Sequence, residues 1–139
     1  MTRAAAVVVA IAGLAIATYL TVVHYAGGEP VCAIAHGCAT VQKSHYAELA
    51  GVPVALLGAL GYLAILGSLA RDGEAARTAT AFLAIVGVGF SGWLTYVEVV
   101  ELEAICIWCV GSAVCMTLLA GLATVRVLSP PAPRTARAR

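Results

Sequence analysis

Charge is scarce in this sequence: 11% of its 139 residues are Asp, Glu, Lys or Arg, where a soluble domain carries about 25%. A chain so poor in charge cannot clothe a water-facing surface, and a soluble globular fold is excluded. Lysine occurs once, as Lys43, against seven arginines, a bias we read as genome composition. The net charge of +1 leaves no basic excess for nucleic acid. No glycine-rich strand-to-helix fingerprint is present, which removes a soluble nicotinamide cofactor. An internal repeat is also lacking, and with it a solenoid.

What is there is apolar, at 62% of residues. Four hydrophobic runs, at about 4–25, 52–70, 78–100 and 105–127, each approach the roughly 20 residues that cross a ~30 Å hydrocarbon layer. The first is too long for a signal-peptide core and lacks a small-x-small cleavage site behind it, so it is expected as a retained helix. The sequence therefore predicts an all-α membrane protein: a four-transmembrane-helix bundle, one domain over 1–128, with a disordered cytoplasmic tail over 129–139. Arg3, Arg71, Arg77, Arg126, Arg134, Arg137 and Arg139 fall on one side and only Lys43 on the other. By the positive-inside rule both termini are expected in the cytoplasm. Glu29, Glu48, Glu98, Glu101 and Glu103 then look outward, and glycines at 58, 61, 67, 87, 89 and 92 are expected to let helices approach closely.

Under this topology four of the five cysteines lie outside the cytoplasm. Cys32 and Cys38 sit in the long loop between the first two runs, and Cys106 and Cys109 open the last. Cys115, about two turns deeper, reads as a structural residue. The stretch from Cys38 to Leu49 holds enough helix formers for a short interfacial helix, with Val41, His45 and Leu49 towards the membrane, forming a lid. Three chemistries fit the outer thiols. Structural disulfides are the default outside the cytoplasm, but a CxxC bridge closes so small a loop that it constrains the unfolded chain little. Zinc held by cysteines with His36 and His45 would need tighter spacing than Cys-x5-Cys. Dithiol redox exchange explains both pairs: a mobile loop pair reaches a soluble partner and then exchanges with the CxxC at the helix start. A CxxC at the top of an apolar bundle suits a lipid-soluble quinone as oxidant.

Taken together, the loop "CAIAHGC", the serine six residues on in "CATVQKS", the "GVP" before the second run and the "CIWC" opening the fourth resemble the vitamin K epoxide reductase family and its bacterial members. The likeness runs in order and spacing from Tyr19 to Met116. DsbB-type thiol oxidases carry their CxxC in the first outer loop, the reverse of this order. The resemblance implies that Cys109 faces the quinone, that Cys106 exchanges with Cys38, and that Cys32 meets the external thiol partner. It implies that Ser44 orients the lid or a quinone carbonyl; its plain alternative is to cap the short loop helix.

Two departures bear on function. Animal members place a tyrosine four residues after the second cysteine of the CxxC, where this chain has Ala113, which speaks against epoxide reduction. Many members are fused to a thioredoxin-like domain; this sequence is expected to act without one, on a separate soluble thioredoxin-fold (DsbA-like) protein. The resemblance thus implies a quinone-dependent thiol oxidoreductase of a bacterial cell membrane, with menaquinone or ubiquinone as co-substrate and no metal. A vitamin K or vitamin K epoxide reductase of the endoplasmic reticulum, and a non-catalytic tetraspan protein with structural disulfides, are the alternatives.

Overall fold

The computed structural model describes residues 1–34 and 36–129, so the tail expected over 129–139 lies outside the described residues apart from Ser129. Among the described residues, five α-helices account for most of the structure: α1 (Thr2–Tyr25), α2 (Cys38–Lys43), α3 (Val54–Leu69), α4 (Glu74–Tyr96) and α5 (Ile107–Leu128). A single π-helical turn, Val97–Glu101, continues α4. Three helical stretches, Thr2–Tyr25, Glu74–Glu101 and Ile107–Leu128, are long and apolar enough to cross a membrane, whereas the apolar α3 has 16 residues. The helix α1 packs on α3 and α5, and α4 packs on α5 and α3.

The sorting of side chains identifies the solvent these helices expect. Their shared interior mixes small alanines, Ala6, Ala10, Ala17, Ala59, Ala84 and Ala123, with a few large side chains, Tyr62, Ile65, Leu69 and Leu119, while many other large apolar groups, among them Val8, Ile11, Leu60, Leu63, Phe82, Ile85, Val114 and Leu118, point out. Water would drive the large apolar groups inward. Lipid tails give no such preference, and helices are free to meet along small residues instead. Between helices, Ser68 and Thr80 hydroxyls pair at 2.7 Å, and the buried Tyr62 hydroxyl donates to the Ser112 carbonyl at 2.8 Å. A Cβ at Gly13 would run into the Tyr62 ring, and one at Gly87 would meet Met116. Of the glycines expected at close approaches only Gly58 and Gly87 have a neighbour there; Gly61, Gly67, Gly89 and Gly92 face open space. Glycine content marks where helices can approach, but which face turns inward is a tertiary choice.

The lid is shorter than its sequence suggests. Ser44 leaves α2 in an extended conformation (ψ 158°), with its hydroxyl bonded back to the Val41 carbonyl at 2.7 Å. A short 3₁₀ turn follows over His45–Ala47, and Glu48–Leu49 pairs antiparallel with Val52–Pro53. Only Val41 of the expected Val41–His45–Leu49 face is buried; His45 and Leu49 are exposed. So brief a helix has too few hydrogen bonds to propagate, and the hairpin claims the residues that were to extend it. That hairpin also delays α3 to Val54 where helix was expected from 52.

Candidate redox site at the lid end

Every element that meets the lid carries a piece of the site. Cys106 is the N-cap of α5: its backbone is extended, and its sulfur accepts from the Cys109 amide at 3.4 Å. One helical turn separates the two cysteines, so their side chains share a face. Cys32 and Cys38 are joined as a disulfide, whereas Cys106 and Cys109 are free thiols. Cys38 and Cys106 are both fully buried and sit in one cluster with Val41, against which Cys32 and Cys109 pack. The structure thus gathers the four cysteines singled out in the sequence. Cys115 is apart from them, half-buried against the helical core.

Backbone proximity makes this cluster. Gly37, immediately before Cys38, lies so close to the segment entering α5 that an added Cβ would stand 2.5 Å from the Ile105 nitrogen and 2.7 Å from its oxygen. Only glycine allows main chain to lie on main chain here. A second pin holds the other loop cysteine: Trp108 donates its indole N–H to the Val31 carbonyl at 2.8 Å, and the Val31 amide donates to the Tyr19 hydroxyl at 3.0 Å. The Tyr19 and Trp108 rings pack with centroids 4.8 Å apart. The residue between the CxxC cysteines therefore fixes the strand that leads into Cys32. An ion pair between Lys43 and Glu29, in the segment after α1, and a 3.0 Å hydrogen bond between the His24 ring of α1 and the Glu48 carboxylate tie the lid to that end of the bundle. The Lys43 ammonium beside it holds the Glu29 carboxyl below the usual carboxylate range.

Beneath α2 the four long helices frame a partly open cavity of about 280 Å³, lined mostly by apolar side chains from all of them and reached by Gln42, Glu98 and Cys109. The Gln42 side-chain amide points a donor at the Cys109 sulfur, 3.8 Å away. A flat apolar ring fits such a space, with Cys109 as the reactive group at its rim. Ser44 is not among the lining residues; it borders a second, more polar cleft beside His24, Lys43 and Glu48. The capping reading of Ser44 matches its hydrogen bond to Val41. No three His, Cys, Asp or Glu side chains converge as a metal site among the described residues.

The sequence left the direction of the Cys106 titration open, weighing the helix start against Glu101 and Glu103. The Cys106 thiol is pulled below its ordinary range, chiefly because the Cys109 side chain hydrogen-bonds to it; burial and the charge of Glu98 work against this. Glu101 and Glu103 are exposed, and the carboxylate that reaches the thiols is Glu98, 4% exposed, which accepts from the Cys106 backbone amide at 3.1 Å. Sequence reasoning counted Glu98 with the outward acids and passed over Gln42, Gly37, Tyr19 and Trp108. The signal that could have found it is an acidic residue eight positions before the CxxC and within an otherwise apolar run.

A family model described as the vitamin K epoxide reductase family matches residues 4–124 of the chain.

Proposed function

Because the chain belongs to the vitamin K epoxide reductase family, we propose that it is a membrane thiol oxidase which draws electrons from a thioredoxin-fold, DsbA-like protein outside the cytoplasm and delivers them to a quinone. Its product is a disulfide in the partner, for use in exported proteins. The observation that carries this reading is the packing of a loop disulfide and a free CxxC pair into one cluster at the rim of an apolar cavity.

In this reading all four long helices span the bilayer, with both termini cytoplasmic and the lid outside. The helix α3 extends for only about 24 Å, and a span that short is accommodated by local thinning of the bilayer. Lid and hairpin cover its outer end.

Electrons then move by two exchanges. A partner thiolate attacks Cys32, the more accessible sulfur of the loop disulfide, and Cys38 leaves as thiolate. The second partner thiol resolves the mixed disulfide, which oxidises the partner by two electrons. Cys38 next attacks Cys106 of an oxidised CxxC and releases Cys109; Cys32 closes back on Cys38 and frees Cys106. The arrangement described, with the loop bridged and the CxxC reduced, is the point in this cycle at which a menaquinone or ubiquinone head in the cavity receives the electrons. Cys109 is the sulfur that faces it. Gln42 steadies that sulfur by donating to it, and the tight fit of Gly37 keeps Cys38 within reach of Cys106.

The test uses dithiothreitol as donor and a soluble quinone as acceptor in detergent. Cys109→Ala should abolish quinone reduction, while Cys32→Ala should spare it, since a small thiol reaches the inner pair directly. Equal loss from both variants would refute the order of the relay. A CxxC that dithiothreitol reduces but no quinone reoxidises would leave the protein as a tetraspan with structural disulfides.

A further inference from the structure

Glu98 has no role in the relay just described, yet it is the most deeply placed acid in the protein, with 4% of its surface exposed. Taking a carboxylate out of water is costly unless it is well partnered. Among the described residues no Lys, Arg or His forms an ion pair with it. Its surroundings are instead the CxxC: one oxygen accepts from the Cys106 amide at 3.1 Å, and the side chain stands in the same cavity lining as Cys109. The backbone presents it on a π-helical turn, Val97–Glu101, a feature that recurs at functional sites. Glu98 also lines the cavity that holds Cys109, and it is the one carboxylate to do so among the described residues.

That position answers a need of the quinone step. Converting two thiols and a quinone into a disulfide and a hydroquinone breaks two S–H bonds, forms one S–S bond, moves two electrons to the ring and places a proton on each ring oxygen. The cavity wall is otherwise apolar apart from amide and hydroxyl groups, so the protons need a carrier. We propose that Glu98 is the acid–base residue of this step, taking the Cys109 proton as the sulfur gives up its electrons and passing it to a quinone oxygen. The proton of Cys106 follows by the same carboxylate once the first has been delivered. Net, Glu98 is unchanged, the thiols are oxidised and the quinone is reduced. The inference rests on the quinone-oxidase reading above.

Two variants and two measurements test it. E98Q keeps the shape and an acceptor for the Cys106 amide but cannot carry a proton; E98D restores the carboxylate on a shorter stem. Rates are normalised to the folded fraction found by thermal melting of each variant. With dithiothreitol and a soluble quinone, kcat of E98Q should fall about 100-fold, the lower range for loss of a proton-transfer residue, with KM for the quinone within about twofold, and E98D should recover about a tenth of the wild-type rate. The second measurement needs no quinone: N-ethylmaleimide addition to Cys109 in the reduced protein, followed peptide by peptide by mass spectrometry. A base that takes the thiol proton predicts addition about tenfold slower in E98Q, whereas a carboxylate acting only as a nearby negative charge predicts faster addition, because its loss eases thiolate formation. Faster addition, an E98Q rate above a third of wild type, or E98D as slow as E98Q would each overturn the proposal. A wild-type protein that reduces no quinone would overturn the underlying reading and this proposal with it, a pattern distinct from an active wild type with an indifferent E98Q.

Discussion

The helical body and the lid end are held together in opposite ways. The body is held by many contacts in one cluster, alanines of α1, α3 and α4 with Tyr62, Ile65, Leu69, Met116 and Leu119, and by a few cross-helix hydrogen bonds such as Ser68 to Thr80. The lid end is held by a handful of singular ones: Gly37 on Ile105 and Trp108 on Val31, which join residues far apart in sequence, and Lys43 on Glu29 within the loop region. Redundant contacts confer stability, because no one of them decides the fold. Singular contacts confer placement, because each fixes one cysteine-bearing segment relative to another. The molecule separates what keeps it folded from what brings its sulfurs together.

Breaking the body should have the largest effect. Gly13→Val drives a branched side chain into the Tyr62 ring, an overpacking that costs about 3 kcal/mol. The melting temperature in detergent should fall by about 10 °C, and the Cys106 and Cys109 thiols should become reactive with it. An unchanged melt would mean that the body has slack which the packing does not show.

At the lid end the same kind of insult should spare the fold and strike the chemistry. In a Cys32→Ala/Cys109→Ala background, oxidation should trap a Cys38–Cys106 bridge; adding Gly37→Ala should slow its formation by about tenfold, the scale of a modest misplacement of reacting groups, with the melting temperature nearly unmoved. Equal rates would show that the lid finds Cys106 without the Gly37 contact. A smaller effect is expected from Trp108→Phe, which keeps the ring against Tyr19 but removes the hydrogen bond to Val31. One such bond is worth about 1 kcal/mol, so alkylation of Cys32 in the reduced protein should rise about fivefold.

The smallest effect should come from the ion pair at the lid's edge. Glu29 titrates below its usual range because Lys43 stands beside it; the pair therefore contributes at pH values above the normal carboxylate range, and its contribution is lost as pH falls through the lowered value. Hydrogen exchange of the amides of residues 40–49 should increase by less than about twofold on acidification, as expected of an exposed pair. Lys43→Ala should give the same loosening at neutral pH and none further in acid. If acid loosens that variant as much as the wild type, some group other than Glu29 carries the effect.

Much of this was legible in the sequence where one physical signal dominated. Four apolar runs announced three helices long enough for a bilayer and a fourth that is shorter, Val54–Leu69, and the cysteine spacing singled out the four sulfurs that the fold gathers. Legibility failed where two signals competed. The lid's helix formers argued for helix to Leu49, but the Ala50–Gly51 turn, with φ of 53° and 81°, folds Glu48–Leu49 onto Val52–Pro53. Glu98 was placed by topology on the outer side of the membrane, but nothing in its position says that it is buried against the CxxC from a π turn, since a one-residue change in helical register leaves no mark in composition. Gly37 was passed over, because nothing local to it says that Ile105, 68 positions away, will lie against its backbone.

The alanine-lined interior also governs how this sequence can drift. A buried alanine such as Ala10 or Ala84 has no exposed surface and helices on both sides, so almost every replacement makes it larger and only glycine or serine fits without moving a helix. An outward residue such as Ile11, Phe82 or Leu118 is exposed on the outside of the bundle, where lipid tails would accept any apolar shape. Over long times the inside, its alanines together with Tyr62, Ile65 and Leu119, should therefore hold its letters while the outside exchanges Val, Ile, Leu and Phe freely.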